Sequence, residues 1–168
     1  DDSEFSAALH NASILIPDGI GIVIADRFLN RLVSNRVTGP DIFFGLSASM
    51  QKRGKGKVFF LGSTQECLDD IRMKFKKDYP NIEFSGCWSP PFKEQWTPLD
   101  NANMRDAINQ ANPDVLWVGM TAPKQEKWIY ENLPYLNIRF AAGIGRLIAS
   151  SKPIAMTLAA IAVSNPEK

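Results

Sequence analysis

The chain has few of the residues that most often carry metal-dependent or nucleophilic catalysis. Its 168 residues include one histidine, His10, and two cysteines, Cys67 and Cys87. These residues do not have metal-site spacing, which argues against zinc hydrolysis, and one histidine does not supply a Ser-His-Asp or Cys-His apparatus. We expect His10 to be a surface or half-buried helix residue. Reduced thiols in a cytosolic setting are the simplest interpretation of the cysteines, and a disulfide between them stays open.

The sequence also lacks the common phosphate-binding motifs. It contains neither a Walker A loop nor G-x-G-x-x-G, which argues against the commonest ATPases and dinucleotide-binding enzymes. It has no Asp-x-Asp element that would hold a divalent ion on a nucleotide diphosphate. We therefore expect no cofactor and no metal, so that any phosphate must be held by backbone N–H groups and basic side chains.

Extreme charge and long apolar runs are absent as well. The net charge is +1, which gives no indication of nucleic-acid binding through bulk electrostatics. No signal peptide is visible, and no apolar run approaches the roughly 20 residues of a membrane-spanning helix. The longest run, Ile154–Val163, favours a short core helix, with a membrane-facing helix as the alternative. The length suits one domain with a single well-buried core.

Strands and helices are predicted in alternation. Strands are expected at residues 13–16, 57–61, 81–86, 115–120 and 138–142, and helices at 3–11, 20–28, 42–50, 65–78, 101–111 and 124–133. Parallel strands need crossover connections, so this order favours an α/β fold with an open, mostly parallel, Rossmann-like sheet and helices on both faces. Ligands of such sheets bind beyond the carboxyl ends of the strands. The loops containing residues 18, 62–64, 121–127 and 143–145 should therefore meet at one edge.

The segment Pro113–Trp128 is the strongest candidate for a ligand site. It combines a buried strand, a tight turn through Pro123 and a helix that begins at Lys124. Free N–H groups and the helix dipole favour an anion there, and Lys124 and Lys127 add positive charge. An ordinary strand–helix junction with solvated lysines is the alternative, and it stays open.

Asp18 is a carboxylate in the loop after the first predicted strand. If Asp18 lies opposite loops that hold phosphates, it would deprotonate an acceptor hydroxyl. Cationic donors would then stabilise the departing diphosphate. The alternative is a turn aspartate that bonds its own backbone, which is common for Asp-Gly. The long loop at residues 87–100, rich in tryptophan and proline, fits a rigid lid or partner surface as well as it fits packing against the domain.

Several segments resemble one protein family, the WecG/TagA/CpsF glycosyltransferases of bacterial wall teichoic acid, enterobacterial common antigen and exopolysaccharide synthesis. The resemblance is carried by Phe5–Gly21 with its Pro-Asp-Gly turn, Arg36–Asp41, Val58–Gly62 and, most specifically, Ala-Pro-Lys-Gln-Glu-Lys-Trp at residues 122–128. Ser89–Phe92 is similar to a loop of the exopolysaccharide members. The similarity covers residues 3–145, most of the chain.

The resemblance implies an inverting, metal-independent transferase. Its donor would be a UDP-sugar, typically UDP-N-acetylmannosamine or a relative, and its acceptor a sugar on an undecaprenyl diphosphate lipid. It would act in the cytoplasm, peripherally at the inner face of the bacterial plasma membrane. Self-association would follow from an exposed apolar edge or tail. Two alternatives remain: a non-catalytic nucleotide-sugar-binding scaffold recruited through the Trp88–Trp96 loop, and an unrelated α/β phosphate-binding domain.

By motif position, the resemblance implies that Asp18 is the general base and Gln125 an active-site glutamine. Arg36, Thr38, Gly39 and Asp41 would shape the donor or acceptor pocket. The remaining substrate-binding candidates are Gly19, Gly62, Thr121, Ala122, Pro123, Lys124, Lys127 and Gly143.

The resemblance also predicts how the chain is divided. Residues 1–145 would form the glycosyltransferase domain, without the strand and Thr/Asn-bearing loop that family members usually have upstream. Residues 146–168 would form a divergent tail, because they do not resemble the Phe-Asp-containing helix and basic tail that normally follow.

Overall fold

A computed structural model describes residues 2–16, 24, 28, 37–145 and 161–164. Its helices are α1 (Ser3–His10), α2 (Gly39–Arg53), α3 (Gln65–Asp78), α4 (Pro98–Ala111) and α5 (Lys124–Asn132), followed by a 3-10 turn (Leu133–Tyr135). Its strands are β1 (Ile14–Leu15), β2 (Lys57–Gly62), β3 (Glu83–Trp88), β4 (Val115–Gly119), β5 (Phe140–Gly143) and β6 (Ile161–Ser164). The predicted helix at 20–28 lies outside the described residues except for Ile24 and Phe28, which are helical.

The strands form one sheet in the order β1-β6-β5-β4-β2-β3. The four strands from β5 to β3 are parallel, whereas β6 is antiparallel to both β5 and β1. The prediction of an open, mostly parallel, Rossmann-like sheet is confirmed. Because β1 and β5 are each antiparallel to β6, they run in the same direction, and the chain leaves β1 at the carboxyl edge of the sheet.

Helices cover both faces of this sheet, as predicted. On one face, α2 and α3 pack on alternate strand residues, including Val58, Phe60, Val115, Trp117 and Ala142. On the other face, α4 and α5 pack on the residues between them, including Phe59, Leu61, Leu116, Val118 and Ala141. Both faces of these strands are buried, which explains why their sequences are nearly continuous apolar runs.

Capping residues set where two of the helices begin. Thr38 Oγ1 accepts a hydrogen bond from Asp41 N at 3.3 Å, and Thr38 N donates to Asp41 Oδ2 at 2.8 Å. Thr97 and Asp100 form the same reciprocal pair. Each pair satisfies N–H groups that have no partner within the helix. As a result, α2 and α4 each begin three residues before the predicted start, at residues 39 and 98.

The predicted buried stripes are confirmed for α3 and shifted in α2. Leu68, Ile71 and Phe75 are buried as expected. In α2, Phe43 and Ser47 are buried together with Met50, while the predicted Ile42 and Leu46 are half-buried. Phe43 occupies the core position because its ring packs among the rings of Phe60, Phe75 and Trp117, whose centroids lie 5.1–6.2 Å from its own.

The interpretation of residues 154–163 as a short core helix is wrong at its end. Ile161–Ser164 form strand β6, which adds a sixth strand to the five that were predicted. Two features explain this: isoleucine and valine suit a strand, and β5 would otherwise present unpaired backbone groups along its outer edge. Residues 154–160 lie outside the described part of the chain.

Candidate active site

Three of the four predicted loops lie at the carboxyl edge of the sheet, after β2, β4 and β5. Gly62 is paired with Gly119 across β2 and β4, and Val118 is paired with Gly143 across β4 and β5. Glycines therefore end three neighbouring parallel strands. The fourth loop, with Asp18 and Gly19, lies outside the described residues. It follows β1, whose last residue, Leu15, is paired with Ile161.

The loop after β2 has a backbone that few residues adopt. Gly62 has φ +115°, and a Cβ at this position would lie 2.4 Å from the carbonyl oxygen of Gly119. Ser63 follows with φ +65°. Thr64 then caps α3 by accepting a hydrogen bond from Cys67 N at 3.3 Å. The loop thus turns sharply at the strand end and aims the amino end of α3 at the carboxyl edge, where N–H groups favour an anion.

The turn after β4 carries the most specific motif into α5. The carbonyl oxygen of Thr121 accepts a hydrogen bond from Lys124 N at 2.9 Å, which closes the turn and opens the helix. Thr121, Ala122 and Pro123 are exposed at this edge. Trp128, one turn further along α5, is buried and donates from Nε1 to Asn101 Oδ1 at 2.9 Å, so that α5 is fastened to α4.

Gln125 lies inside the protein and joins this turn to the loop after β5. Its side chain is fully buried, and its Oε1 accepts a hydrogen bond from Gly145 N at 2.9 Å. Gly143 leaves room for it, because a Cβ on Gly143 would lie 2.8 Å from Gln125 Cδ. The structure therefore brings together two candidates, Gln125 and Gly143, that are 18 residues apart in the chain.

Glu126 is a buried carboxyl group that the sequence interpretation did not single out. It is 1% exposed, and Gln125 Nε2 donates to its Oε1 at 2.7 Å. Burial raises the pKa of Glu126 above its ordinary value, since a buried carboxylate loses the solvation of its charge. The one feature of the sequence that pointed to Glu126 was its place beside Gln125 in the family motif. Nothing in a helical first turn indicates from sequence that a glutamate faces inward.

Lys124 holds the aromatic loop against the domain. Its ammonium lies 3.9 Å from the centroid of the Trp96 ring and donates to the carbonyl oxygen of Lys93. Trp96 Nε1 donates to the carbonyl oxygen of Pro91 at 3.0 Å, and Ser89 Oγ donates to that of Ser63 at 2.8 Å. The loop thus packs against the domain. Partial burial lowers the pKa of Lys124.

Phe92, at the turn of the same loop, is fully exposed. The expected packing against the domain is confirmed, because the tryptophans of the loop contact the core. Its role as a lid or partner surface stays a prediction.

Lys127 pairs with acidic side chains at the start of α1. Its ammonium forms ion pairs with Asp2 at 2.8 Å and with Glu4 at 3.0 Å, both on or next to α1. These carboxylates raise the pKa of Lys127. Its positive charge serves the contact between α1 and α5, so we leave it out of the phosphate site proposed below.

Thr38, Gly39 and Asp41 lie at the amino end of α2. This helix ends just before β2 begins, so its amino end lies toward the carboxyl edge of the sheet. The hydroxyl of Thr38 donates to Asp41 Oδ2 at 2.7 Å, in addition to the capping bonds. Both side chains therefore have a local structural role in starting α2. Arg36, the predicted basic partner, lies outside the described residues.

A groove of about 990 Å³ lies elsewhere, along α2 and toward the amino ends of the strands. Its lining includes Arg53, Lys57, Glu83, Asp114 and Arg139. Its size alone does not make it the site, because ligands of parallel sheets bind at the opposite edge, where the glycine turns and Gln125 lie.

His10 is exposed, which confirms the surface alternative. Cys67 and Cys87 are not joined in a disulfide. Across the described ranges, no three His, Cys, Asp or Glu side chains gather as a metal site would require. The helices of those ranges include none with the length and apolar character needed to cross a bilayer.

Comparison with known proteins connects this edge to one family. The model of the Glycosyl transferase WecG/TagA/CpsF family matches residues 1–150, which include every segment described at the carboxyl edge. The chain belongs to this family. The WecG/TagA/CpsF resemblance of the Pro-Asp-Gly, Arg-Val-Thr-Gly and Pro-Lys-Gln-Glu segments is thereby confirmed as a family relationship.

Curated members of the WecG/TagA/CpsF family are similar over most of the chain. An N-acetylglucosaminyldiphosphoundecaprenol N-acetyl-beta-D-mannosaminyltransferase of Bacillus subtilis is 30% identical over 129 residues, which are 77% of this chain and 48% of the relative. Proteins of the same name from Bacillus spizizenii and Staphylococcus aureus are 28% and 27% identical, over 84% and 82% of this chain and 52% and 51% of theirs. The chain spans about half the length of these relatives.

Proposed function

We propose that this chain is the glycosyl-transfer domain of a bacterial surface-polysaccharide enzyme. It moves an N-acetylmannosamine-type sugar from a UDP-sugar to a sugar carried on undecaprenyl diphosphate, with inversion and without a metal ion. Family membership supports a glycosyltransferase, and the names of the relatives support the acceptor class and the sugar. Teichoic acid or exopolysaccharide assembly at the inner face of the plasma membrane, with peripheral attachment, follows from such an acceptor.

One observation carries the proposal: the buried Gln125 of the family motif is hydrogen-bonded to Gly145, at an edge where three parallel strands end in glycine. This bond joins the loops after β4 and β5 into one surface. Gly62 and Gly143 let these loops pack closely against Gly119 and Gln125. We expect the loop N–H groups to contact a diphosphate without a cation.

Asp18 is the proposed base, and the sheet supports its place at this edge. Leu15 is paired with Ile161, and Ala162 is paired with Ala142, so Leu15 lies level with Gly143 at a separation of two strand spacings, about 10 Å. Three further residues extend at most about 10 Å. The chain from Leu15 to Asp18 is therefore long enough to reach the loop after β5.

In the proposed reaction, the Asp18 carboxylate accepts the proton of the acceptor hydroxyl. The hydroxyl oxygen then forms a bond to C1 of the donor sugar, from the face opposite the diphosphate. The bond from C1 to the diphosphate oxygen breaks, and UDP leaves with that electron pair. Backbone N–H groups of the loop after β2, together with Arg36, stabilise the charge on UDP.

Lys124 contributes to the same stabilisation only if its ammonium leaves Trp96 and the carbonyl of Lys93. We therefore assign it first to holding the loop at residues 89–97. The exposed Thr121, Ala122 and Pro123 form the wall of the proposed pocket next to Gln125, and Thr38, Gly39 and Asp41 support it by fixing the start of α2.

Asp18→Asn tests the proposal directly. An amide cannot accept the proton, so transfer from a UDP-sugar to a short-chain lipid diphosphate acceptor should fall by about 10²–10⁴-fold. The Kd for UDP should stay within about twofold, because the base does not bind the diphosphate. Radiolabelled product formation and calorimetric UDP titration measure the two quantities.

Asp106→Asn is the matched control, because Asp106 is an exposed carboxylate in the second half of α4. It should transfer sugar at the wild-type rate. Equal rates for wild type and Asp18→Asn would remove Asp18 from the mechanism. UDP binding by the wild type without any product would instead support the non-catalytic scaffold.

A further inference from the structure

The amide of Gln125 is held in one orientation by two contacts. Gly145 N donates to its Oε1 at 2.9 Å, and its Nε2 donates to Glu126 Oε1 at 2.7 Å. Rotating the amide by half a turn would set an NH₂ group against the Gly145 N–H and a carbonyl oxygen against a carboxyl oxygen. Both would be repulsive, so the two partners together decide which end of the amide faces which loop.

The burial of the Glu126 carboxyl group costs free energy of folding. Its side chain is 1% exposed, and its second oxygen, Oε2, has no hydrogen-bond partner among the residues that the structure describes. A buried polar oxygen without a partner costs about 1–3 kcal/mol. The cleft beside it is lined mostly by apolar side chains, including Ala8, Ile129 and Leu133, together with Asn11 and Tyr130. An apolar residue would therefore fit most of the surroundings at lower cost. The contact that this carboxyl group makes is therefore its distinguishing property.

We propose that Glu126 is a positioning residue of the transfer site. By accepting from Gln125 Nε2, it holds Gln125 Oε1 toward Gly145, and the loop after β5 is thereby held against the first turn of α5. This inference rests on the proposed function, because it gives that loop a role in holding the substrate. Glu126 itself is remote from the substrate and acts through Gln125.

Gly143 completes the arrangement. A side chain on Gly143 would collide with the Gln125 amide, with contacts of 2.8–3.1 Å to its outer atoms. The amide therefore lies in a narrow slot between β5 and α5, with the backbone of Gly143 against it. Loss of the Glu126 contact would release one end of the amide while the slot still confines the other, so the expected change is local.

Two substitutions of Glu126 separate positioning from packing. Glu126→Gln offers an amide oxygen in place of Oε1, so it should keep kcat/KM within about threefold of wild type. Glu126→Leu has similar volume and no acceptor, and it should lower kcat/KM by about tenfold or more. In a Gln125→Leu background, Glu126→Leu should add no further loss, because Glu126 acts only through that amide.

Exchange of the Gly145 amide hydrogen gives a readout that does not need activity. Glu126→Leu should speed this exchange by about tenfold, while Glu126→Gln leaves it close to wild type, as measured by NMR at a pH where all variants are folded. If the wild type transfers no sugar, the proposed function fails, and the exchange data still decide whether Glu126 positions Gln125.

Three results would overturn the inference: wild-type kinetics and exchange in Glu126→Leu, equal losses in Glu126→Gln and Glu126→Leu, or losses that multiply in the double variant. If Glu126→Leu does not fold, Glu126→Asp replaces it. The shorter side chain withdraws the oxygen from Gln125 and keeps the carboxyl group, so it should show the same loss relative to Glu126→Gln.

Discussion

At the scale of single residues, the carboxyl edge depends on glycines that have no room for a side chain. Gly62 lies against the backbone of Gly119, and Gly143 lies against the side chain of Gln125. The two constraints differ in kind. A backbone carbonyl cannot move aside without distorting β4, whereas a side-chain amide can shift at the expense of its hydrogen bonds. Gly143 is therefore the more informative position for a substitution.

Gly143→Ala should lower the free energy of unfolding by about 1–3 kcal/mol, because its Cβ would overlap the Gln125 amide in a packed interior. We expect a loss of transfer activity as well, since the amide must move. Urea unfolding and the transfer assay measure the two effects.

Gly45→Ala is the control for this substitution. Gly45 lies within α2, and a Cβ there would meet no atom of the described residues within 4 Å. Alanine should raise the free energy of unfolding by about 0.5–1 kcal/mol, because glycine is unfavourable in a helix interior. Equal stability for wild type and Gly143→Ala would show that Gln125 can leave its slot freely.

Two lysines of the same motif have different roles, for reasons of position alone. Lys124 is covered by Trp96 at 3.9 Å, while Lys127, almost one turn later, reaches Asp2 and Glu4. Sequence reasoning treated both as cations for a phosphate. Residues three apart on a helix point in similar directions, and only the neighbouring elements decide which partner each one meets.

At the scale of elements, the contact between α1 and α5 brings the carboxyl groups of Glu4 and Glu131 together, and each changes the pKa of the other. A hydrogen bond with Glu4, together with partial burial, raises the pKa of Glu131 to about 7. Hydrogen bonds from Glu131 and Lys127 lower the pKa of Glu4. Lys127 and Asp2 complete this cluster. The pair is favourable only while Glu131 keeps its proton.

This cluster predicts a pH dependence of stability. The pKa of Glu131 is higher in the folded chain than its ordinary value of 4.5. Its contribution is therefore fully present below that ordinary value and is lost as the pH rises through about 7. Glu131→Gln keeps a neutral donor at every pH, so the melting temperature of wild type relative to this variant should fall between about pH 5 and pH 8.

The effect should be small, because Glu131 is largely exposed and salt screens the cluster. Glu66→Gln, an exposed substitution on α3, should leave the slope of melting temperature against pH unchanged. The same slope for wild type and Glu131→Gln would show that the carboxyl pair does not form in solution.

At the scale of the whole molecule, β6 connects the start of the chain to the parallel sheet. It lies between β1 and β5, and Ala162 is paired with both Ile14 and Ala142. Residues close to the two ends of the chain thereby determine where the segment after Leu15 leaves the sheet. We expect the proposed base, Asp18, which follows this segment in the chain, to depend on the pairing.

Ala162→Pro should therefore lower the rate of sugar transfer, while the core of the domain still folds. Proline cannot donate to the ladder and is not tolerated in a strand paired on both sides. We expect kcat/KM to fall by about tenfold or more through misplacement of Asp18, whereas the fluorescence of the buried Trp117 and Trp128 should stay unchanged. Ala162→Ser, which keeps the N–H group, is the control. Equal activity in the two variants would show that β6 does not position the base.

The order of elements and the fold class followed from the sequence alone. Continuous apolar runs at residues 58–61 and 115–118 are typical of strands buried on both faces, and they alternate with amphipathic segments such as α3. Local chemistry also determined that glycine turns follow the strands and that Pro123 precedes a helix. Topology then placed these turns at one edge, because crossovers between parallel strands are right-handed.

Tertiary structure alone decided which side chains meet at that edge. Gln125 and Glu126 face inward because α5 lies against the loop after β5, and the bond to Gly145 spans 20 residues of sequence. The same holds for β6, which forms a strand because β5 and β1 leave open edges that its backbone can satisfy. Local patterns report the preferences of a segment, whereas partners, burial and pKa shifts depend on what the rest of the chain brings beside it.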